Sequence, residues 1–410
     1  MSDPARKKYR VAYLVTHPIQ YQTPLLRLVA ADPDIHLKAF FGTDFSTRHF
    51  FDPEFNQMLQ WDVPLLEGYD YEFLPILPGM HFPEDRHFDR WRPFNIGLRK
   101  RLVAGGFDAL WIHGYARAPH LWAMAATAGT SVKILLRDEA SGVGRATSNL
   151  KSAAKRTLFS LIDRQVDAYL TIGSANEAHF RDLGIDSAKF FRVAYAVDND
   201  WFAERFAEAR PLRDALRAEL GVPPGRPIML SAAKLTERKA PFDLLRAFAR
   251  SIEGVPTERR PVLLMAGDGD LRAEVEAAVA SLQLAEPVRL LGFQPQQKMP
   301  ALYDLCDVSV LTSAHETWGL VVNEAMVAGK AIIASDRVGA AQDLVRNGVN
   351  GFVYPFGDIE ALARHLRDAV AEPARLAEMG RESQRLIANW SFQQNVEGLK
   401  AALTATVGKR

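Results

Sequence analysis

"DVSVLTSAHETWGLVVNEAMVAGKAIIAS", residues 307–335, runs through a strand, a polar loop, a helix and a second strand. The short apolar run "DVSVLTS" has strand composition and ends at Ser313, "AHET" is a loop, and Gly319 opens "GLVVNEAMVA", whose apolar spacing is helical. "AIIAS" then reads as another buried strand, so the segment is one strand–helix–strand unit of a parallel sheet. Upstream lie "PIMLSAA", "PVLLMAG" and "VRLLGF" and downstream "GFVYP", divided by helical stretches such as "PFDLLRAFARSI" and "DLRAEVEAAVASLQL". The same alternation fills the first half, with "VAYLV", "HLKAFF", "ALWIH", "VKILL", "AYLTIG" and "FRVAYA". The expected fold class is α/β, with two doubly wound parallel-sheet, Rossmann-like domains.

A chain of 410 residues is too long for one ordinary core, which agrees with two domains. The polar, Ala/Arg-rich stretch "AERFAEARPLRDALRAELGVPPGRP" supplies the join, and we place the boundary near residue 205. This gives a first domain over 1–205, a second over 206–390, and a terminal amphipathic helix over 391–410 expected to pack back on the first domain. With 48% apolar and 24% charged residues, the balance is that of a soluble globular protein. Its apolar runs fall short of the ~18 residues of a spanning helix, and "VAYLV" is too short for a signal peptide, so a cytoplasmic location is expected. The single Cys306 excludes an internal disulfide, and a net charge of +1 gives no general attraction to nucleic acid.

Glu316 and Glu324 stand eight positions apart around Trp318 and Gly319. On one continuous helix they would be ~12 Å apart and ~80° out of line. Glycosidase pairs sit closer, at ~5–5.5 Å or ~6.5–9.5 Å, so a hydrolase couple is disfavoured. If the helix opens at Gly319, Glu316 precedes it, Glu324 lies more than a turn inside, and the amides of Trp318, Gly319 and Leu320 lie between them. Those amides and the helix dipole suit phosphate, while carboxylates on either side suit neutral hydroxyls. That pattern fits a sugar nucleotide; a helix that merely exposes two acids fits the spacing as well.

"HETWGLVVNEAMVAGKAIIAS" followed by "LVRNGVNGFVYPFGDIEAL" resembles the E-x7-E segment of the retaining GT-B glycosyltransferases. "SAAKLTERKAPFDLLRAF" is similar to that family's Arg-Leu-x-x-x-Lys-Gly strand and loop, "MAGDGDLR" to its Gly-x-Gly turn and "LLGFQP" to its Leu-Gly-Phe strand end. About half the chain is covered, with a weaker extension through "YLTIGSANEAHFRDLGI" and "VAYAVDNDWF". The resemblance implies the GT-B architecture, two domains facing a cleft. It assigns Glu316 to the donor sugar, Glu324 to the ribose hydroxyls, and Lys234 and Lys239 to the diphosphate, although the family usually has Arg at the first lysine. His113, at the end of "DALWIH", would face the sugar across the cleft, and Phe293 would lie near the base. The implied activity is sugar transfer from a nucleoside diphosphate, UDP ahead of GDP, to a hydroxyl of a saccharide or lipid-linked acceptor with retention, in cell-envelope or exopolysaccharide synthesis. A sugar-nucleotide epimerase on the same fold and a catalytically inactive nucleotide-sugar-binding subunit are the alternatives.

The first loop, "THPIQYQTP", lacks both the glycine pair of many such enzymes and G-x-G-x-x-G, which argues against a nicotinamide or flavin cofactor. His17, Gln20 and Tyr21 would instead line an acceptor site. "VGAAQDLV" replaces the family's Gly-Gly-x-x-Glu. "DND" at 198–200 and "DGD" at 268–270 imitate a metal motif, but Asp268 and Asp270 flank a tight turn where Asp is a cap residue; we expect no metal and no cofactor beyond the nucleotide-sugar co-substrate. Within residues 86–101, Arg86, Arg90, Arg92, Arg99, Lys100 and Arg101 interleave with Phe88, Trp91, Phe94 and Ile96. Such a surface suits an anionic membrane and peripheral attachment, and a solvated helix face with core anchors is the plainer account.

Overall fold

The computed structural model describes residues 9–52, 57–81, 90–143 and 149–408. The first half contributes β1 (Tyr9–Val15), β2 (Ile35–Phe41), the antiparallel pair β3 (Phe50–Asp52) and β4 (Gln57–Leu59), β5 (Asp70–Phe73), β6 (Ala109–His113), β7 (Lys133–Arg137), β8 (Ala168–Thr171) and β9 (Phe190–Arg192). Seven of these form a parallel sheet in the order β5-β2-β1-β6-β7-β8-β9. The second half contributes β10 (Ile228–Ala232), β11 (Val262–Ala266), β12 (Val288–Gly292), β13 (Val308–Leu311), β14 (Ala331–Ser335) and β15 (Gly351–Tyr354), ordered β12-β11-β10-β13-β14-β15. Both central runs, such as "VLLMA" and "AIIAS", are buried along their whole length, because helices cover both faces of each sheet.

In each sheet the strand order reverses beside the first strand, between β1 and β6 and between β10 and β13. At such a reversal the loops diverge to opposite faces and leave a crevice at the carboxyl ends of the strands. The fold therefore contains two crevices, with the loops after β1 and β6 at one and those after β10 and β13 at the other.

Helix Asn199–Ala209 buries Phe202 and Phe206 in one cluster with Val222, Ile228 and Leu302 of the second half. The polar composition of that helix conceals these two anchors. At the other end, helix Phe392–Val407 returns to the first sheet, burying Phe392, Val396, Leu399, Ala402 and Leu403 against β1, β7 and β8 residues. Asn395 Nδ2 donates to the Ala194 carbonyl at 2.8 Å, and the Ser391/Gln394 capping box fixes the start of the helix.

Gly398 brings this helix against β9: a Cβ there would stand 1.9 Å from the Arg192 carbonyl oxygen. Gly398→Ala should lower stability by about 1–3 kcal/mol through overpacking, read as a drop in the melting temperature. An unchanged melt would mean that the helix is not seated on β9.

Candidate functional site

At the second crevice, the chain leaving β10 carries Lys234 and Lys239, and the chain leaving β13 carries Glu316. The β11 turn is pressed onto the first of these loops. A Cβ on Gly267 would lie 1.9 Å from the Ala233 carbonyl oxygen, and one on Gly269 2.6 Å from that of Leu235, so glycine is required for this approach. Asp268 serves that turn: its Oδ1 accepts from the Gly269 amide at 2.9 Å. Asp198 likewise caps helix Asn199–Ala209 by accepting from the Trp201 amide at 3.0 Å. Among the described residues, no group of three or more His, Cys, Asp or Glu is placed to hold a metal ion.

Gly319 takes a left-handed conformation, φ 99°, and helix Leu320–Val327 begins after it. The amides of Trp318, Gly319 and Leu320 have no hydrogen-bond acceptor among the described residues. They are the orphan donors of a helix start, gathered where the sheet opens.

Glu316 is ion-paired with Lys239, with Arg238 Nη1 3.4 Å away and Ser313 Oγ 3.4 Å from its carboxylate. Burial lowers the Lys239 pKa from the ordinary lysine value, more strongly than the Glu316 charge raises it. Lys234 points across the cleft to Asp52 of β3, 3.3 Å away. Glu324 lies more than a turn into the helix, half-buried, and its Oε2 accepts from the Tyr303 hydroxyl at 2.6 Å. Burial raises its carboxyl above the usual range, with the Tyr303 bond opposing. Phe293 follows the end of β12 on the same edge of the sheet.

Only the backbone of Trp318 belongs to this crevice. Its side chain is buried at the seam between the halves, where Nε1 donates to Asn323 Oδ1 at 2.8 Å and the ring stacks on Trp390 at 5.5 Å. Two features that sequence patterns did not disclose are Arg238, which supplies a forked guanidinium beside Glu316, and Tyr303, which steadies Glu324.

At the first crevice, β1, β6 and β7 deliver His17, Gln20 and Tyr21, His113, and Glu139 respectively. His113 is buried, and both ring nitrogens are engaged: Nδ1 with the Tyr13 hydroxyl at 2.9 Å and Nε2 with Glu139 Oε1 at 2.8 Å. His113 thus turns to its own domain rather than across the cleft. Tyr21 reaches the same Oε1 at 3.4 Å and accepts from the Tyr195 hydroxyl at 3.2 Å. Burial pushes the Glu139 carboxyl up, but the hydrogen bond from His113 and the charges of His113 and Arg137 outweigh it and hold the group below its usual range.

His17 touches Thr16 Oγ1 at 2.9 Å and packs edge-on against Phe45; burial, then the charges of Arg117 and His113, lower it to about 3. The Gln20 Oε1 atom is buried without a hydrogen-bond partner among the described residues.

The two crevices face each other closely. His315 Nδ1 donates to the Val143 carbonyl at 2.7 Å, so the loop of Glu139 meets the loop of Glu316. Gln297 reaches Asp62, and Ser174 reaches Asp343, on either side.

His120 lies beneath the first crevice, buried, with both ring nitrogens unpartnered among the described residues. Burial, assisted by Arg117 and His113, depresses its pKa to about 3. An unfolded histidine titrates near ~6.5, so the unfolded chain takes up a proton that the folded one refuses. Stability from this group is full above that pH and is lost as pH falls toward 3. His120→Leu should therefore gain about 2 kcal/mol on the parent between pH 7 and pH 5. Urea melts at both pH values check this; an equal difference at each would contradict it.

Of the basic and aromatic stretch, Arg86 and Phe88 lie outside the described residues. Trp91 is 63% exposed and Trp122, from a neighbouring helix, 54%, with Phe94 6.0 Å from the latter ring. Arg101 is paired with Glu72, and Arg99 donates to the Ala126 and Ala128 carbonyls, so these two are anchored to the domain. Among the described residues, no helix is long and apolar enough to cross a membrane.

Residues 213–386 match the family model described as glycosyl transferases group 1. A D-inositol 3-phosphate glycosyltransferase of Rhodococcus opacus is 34% identical over 191 residues, which span 46% of this chain and 43% of that relative. The matched stretch is thus less than half of that protein. Solved structures are similar over nearly the whole chain. A glycosyltransferase from Rickettsia africae covers 98% of it with 99% of its own length, TM-score 0.71 and 15% identity. The Anabaena protein HepE, crystallised with UDP, covers 96% with 99% of its own, TM-score 0.70 and 17% identity. The fold is that of the GT-B glycosyltransferases.

Proposed function

We propose that this chain moves a sugar from a nucleoside diphosphate to a hydroxyl of a saccharide or lipid-linked acceptor, with retention and without a metal ion. The observation that carries the reading is the convergence of Lys234, Lys239 and the Trp318–Leu320 amides on one crevice, with Glu316 and Glu324 on either side. The diphosphate lies on the amides, and its charge takes the place of the Asp52 carboxylate at Lys234. Glu324 accepts from the ribose hydroxyls through the oxygen that Tyr303 leaves open. Lys239 offsets the charge that develops on the departing phosphate.

Glu316, already paired with Lys239 and Arg238, is better suited to hold donor-sugar hydroxyls than to attack the sugar. Transfer then breaks the bond from the anomeric carbon to the phosphate oxygen and forms one to the acceptor oxygen on the same face. The acceptor proton passes to the departing phosphate. Contact between the facing loops would exclude water and limit hydrolysis.

A UDP donor has support from the HepE complex, and the Rhodococcus relative, though matched over less than half its length, is named for D-inositol 3-phosphate. Cell-envelope or exopolysaccharide synthesis at the inner face of the membrane, with Trp91 and the neighbouring cations against the lipid, completes the proposal. The test is nucleotide release from a panel of UDP- and GDP-sugars, with and without saccharide and lipid-linked acceptors, in EDTA. Acceptor-dependent release with a retained anomeric centre is expected. Free epimer without acceptor, or binding without turnover, would replace this reading with an epimerase or a binding subunit.

A further inference from the structure

The first crevice contains an acidic contact that the sequence patterns leave unassigned. Glu139 stands two residues beyond the end of β7, on the strand next to β6, and its side chain is 36% exposed while that of its partner His113 is 6% exposed. The carboxylate can only accept, so His113 Nε2 donates to it, while Nδ1 is engaged by the Tyr13 hydroxyl on the other side of the ring. Tyr13 is fully buried, so the histidine is clamped from behind and holds Glu139 in one orientation. Oε1 is occupied by His113 and Tyr21, whereas Oε2 has no partner among the described residues.

Two connections place this carboxylate at the meeting point of the two crevices. The Glu139 loop is tied to the Glu316 loop by the bond from His315 to the Val143 carbonyl, 2.7 Å. On its other side, Tyr21 leads to Tyr195, whose carbonyl accepts from Asn323 Nδ2 at 3.2 Å, and Asn323 adjoins Glu324 on helix Leu320–Val327. The buried Arg137 guanidinium balances the charge of Glu139 while donating through Nη1 to the Val193 carbonyl at 2.8 Å.

We infer that Glu139 Oε2 binds an uncharged hydroxyl of the acceptor, and that Tyr13 and His113 are positioning residues that aim this carboxylate into the cleft. The inference rests on the transfer reading above and deepens it. A carboxylate at this place takes a hydroxyl hydrogen and repels a phosphate, so the part of the acceptor that meets Glu139 is unphosphorylated. The role of cleft-facing polar group passes from His113 to Glu139.

The test uses the full chain loaded with UDP or GDP and a set of neutral probes, glucose, galactose, N-acetylglucosamine and myo-inositol, alongside their phosphates. Saturation-transfer NMR reads saccharide contact, and calorimetry reads nucleotide affinity. Glu139→Ala should weaken contact with the neutral probe that binds the parent by about 10- to 100-fold, with nucleotide affinity unchanged. Glu139→Gln, which keeps the shape and an acceptor oxygen for His113, should retain the parent melting temperature and still weaken the probe.

His113→Gln should reproduce part of the loss, again without change in nucleotide affinity. Probe contact indifferent to Glu139→Ala, or no saccharide contact by the parent, would overturn the inference. Failure of the parent to bind either nucleotide would instead overturn the transfer reading, and the same probes on nucleotide-free protein would still decide the role of Glu139.

Discussion

Lys239→Ala should lower kcat/KM for sugar transfer by about 10²- to 10³-fold, as expected when a cation aimed at developing charge is removed from a water-poor site. Lys239 is held by burial beside Glu316, in the loop that leads from β10 into the crevice where the helix amides converge. Folding should suffer less than catalysis, because Glu316 keeps Arg238 and Ser313 as partners. Steady-state nucleotide release against donor concentration reads the first effect and a thermal melt the second. A variant that melts early with near-parental turnover would assign Lys239 to structure. Its depressed pKa adds a pH signature. The cation is the phosphate-binding form, so donor affinity should fall on the alkaline side at a lower pH than an ordinary lysine would give, and the fall should vanish in Lys239→Ala.

The second large effect belongs to Glu324. Its replacement by Ala should weaken nucleotide binding by ~1.5–3 kcal/mol, about 10- to 150-fold, the loss of charge-assisted hydrogen bonds to the ribose. Because Tyr303 already fills Oε2, the free oxygen carries the ligand contact, and Tyr303→Phe should produce a smaller loss through the orientation of the carboxylate. Burial raises the carboxyl above the usual range, so the charged form is lost as pH falls, and binding should weaken at a less acidic pH than a surface glutamate would give. Calorimetric titration with UDP across pH checks both statements. Parental affinity in Glu324→Ala would contradict the ribose role.

Much of the fold is legible in short runs of residues. "PVLLMAG" and "AIIAS" are continuous apolar strands because both faces of each sheet are covered, and period alone marks the helices between them. Glu316, Gly319 and Glu324 sit within one strand–helix unit, so local spacing places them before and inside helix Leu320–Val327. Local spacing is silent on what arrives from elsewhere. Tyr13 on β1, His113 on β6 and Glu139 just past β7 are drawn from three segments, the first two 100 positions apart, and they meet only because β1, β6 and β7 are neighbours. Nothing in "LLRDEASG" marks its glutamate as special. The Trp318 side chain was equally opaque, since its partners Tyr195 and Trp390 lie far along the chain on either side. Phe202 and Phe206 show the same limit, because a polar helix hides two rings that pack with Val222, Ile228 and Leu302.

A crystal structure of the chain with UDP, or GDP if that binds more tightly, addresses the whole account at once. The diphosphate is expected against the Trp318, Gly319 and Leu320 amides, with Lys234 released from Asp52 to the phosphates and the ribose on Glu324. A nucleotide seated elsewhere, with Lys234 still on Asp52 and Glu324 touching only Tyr303, would contradict it.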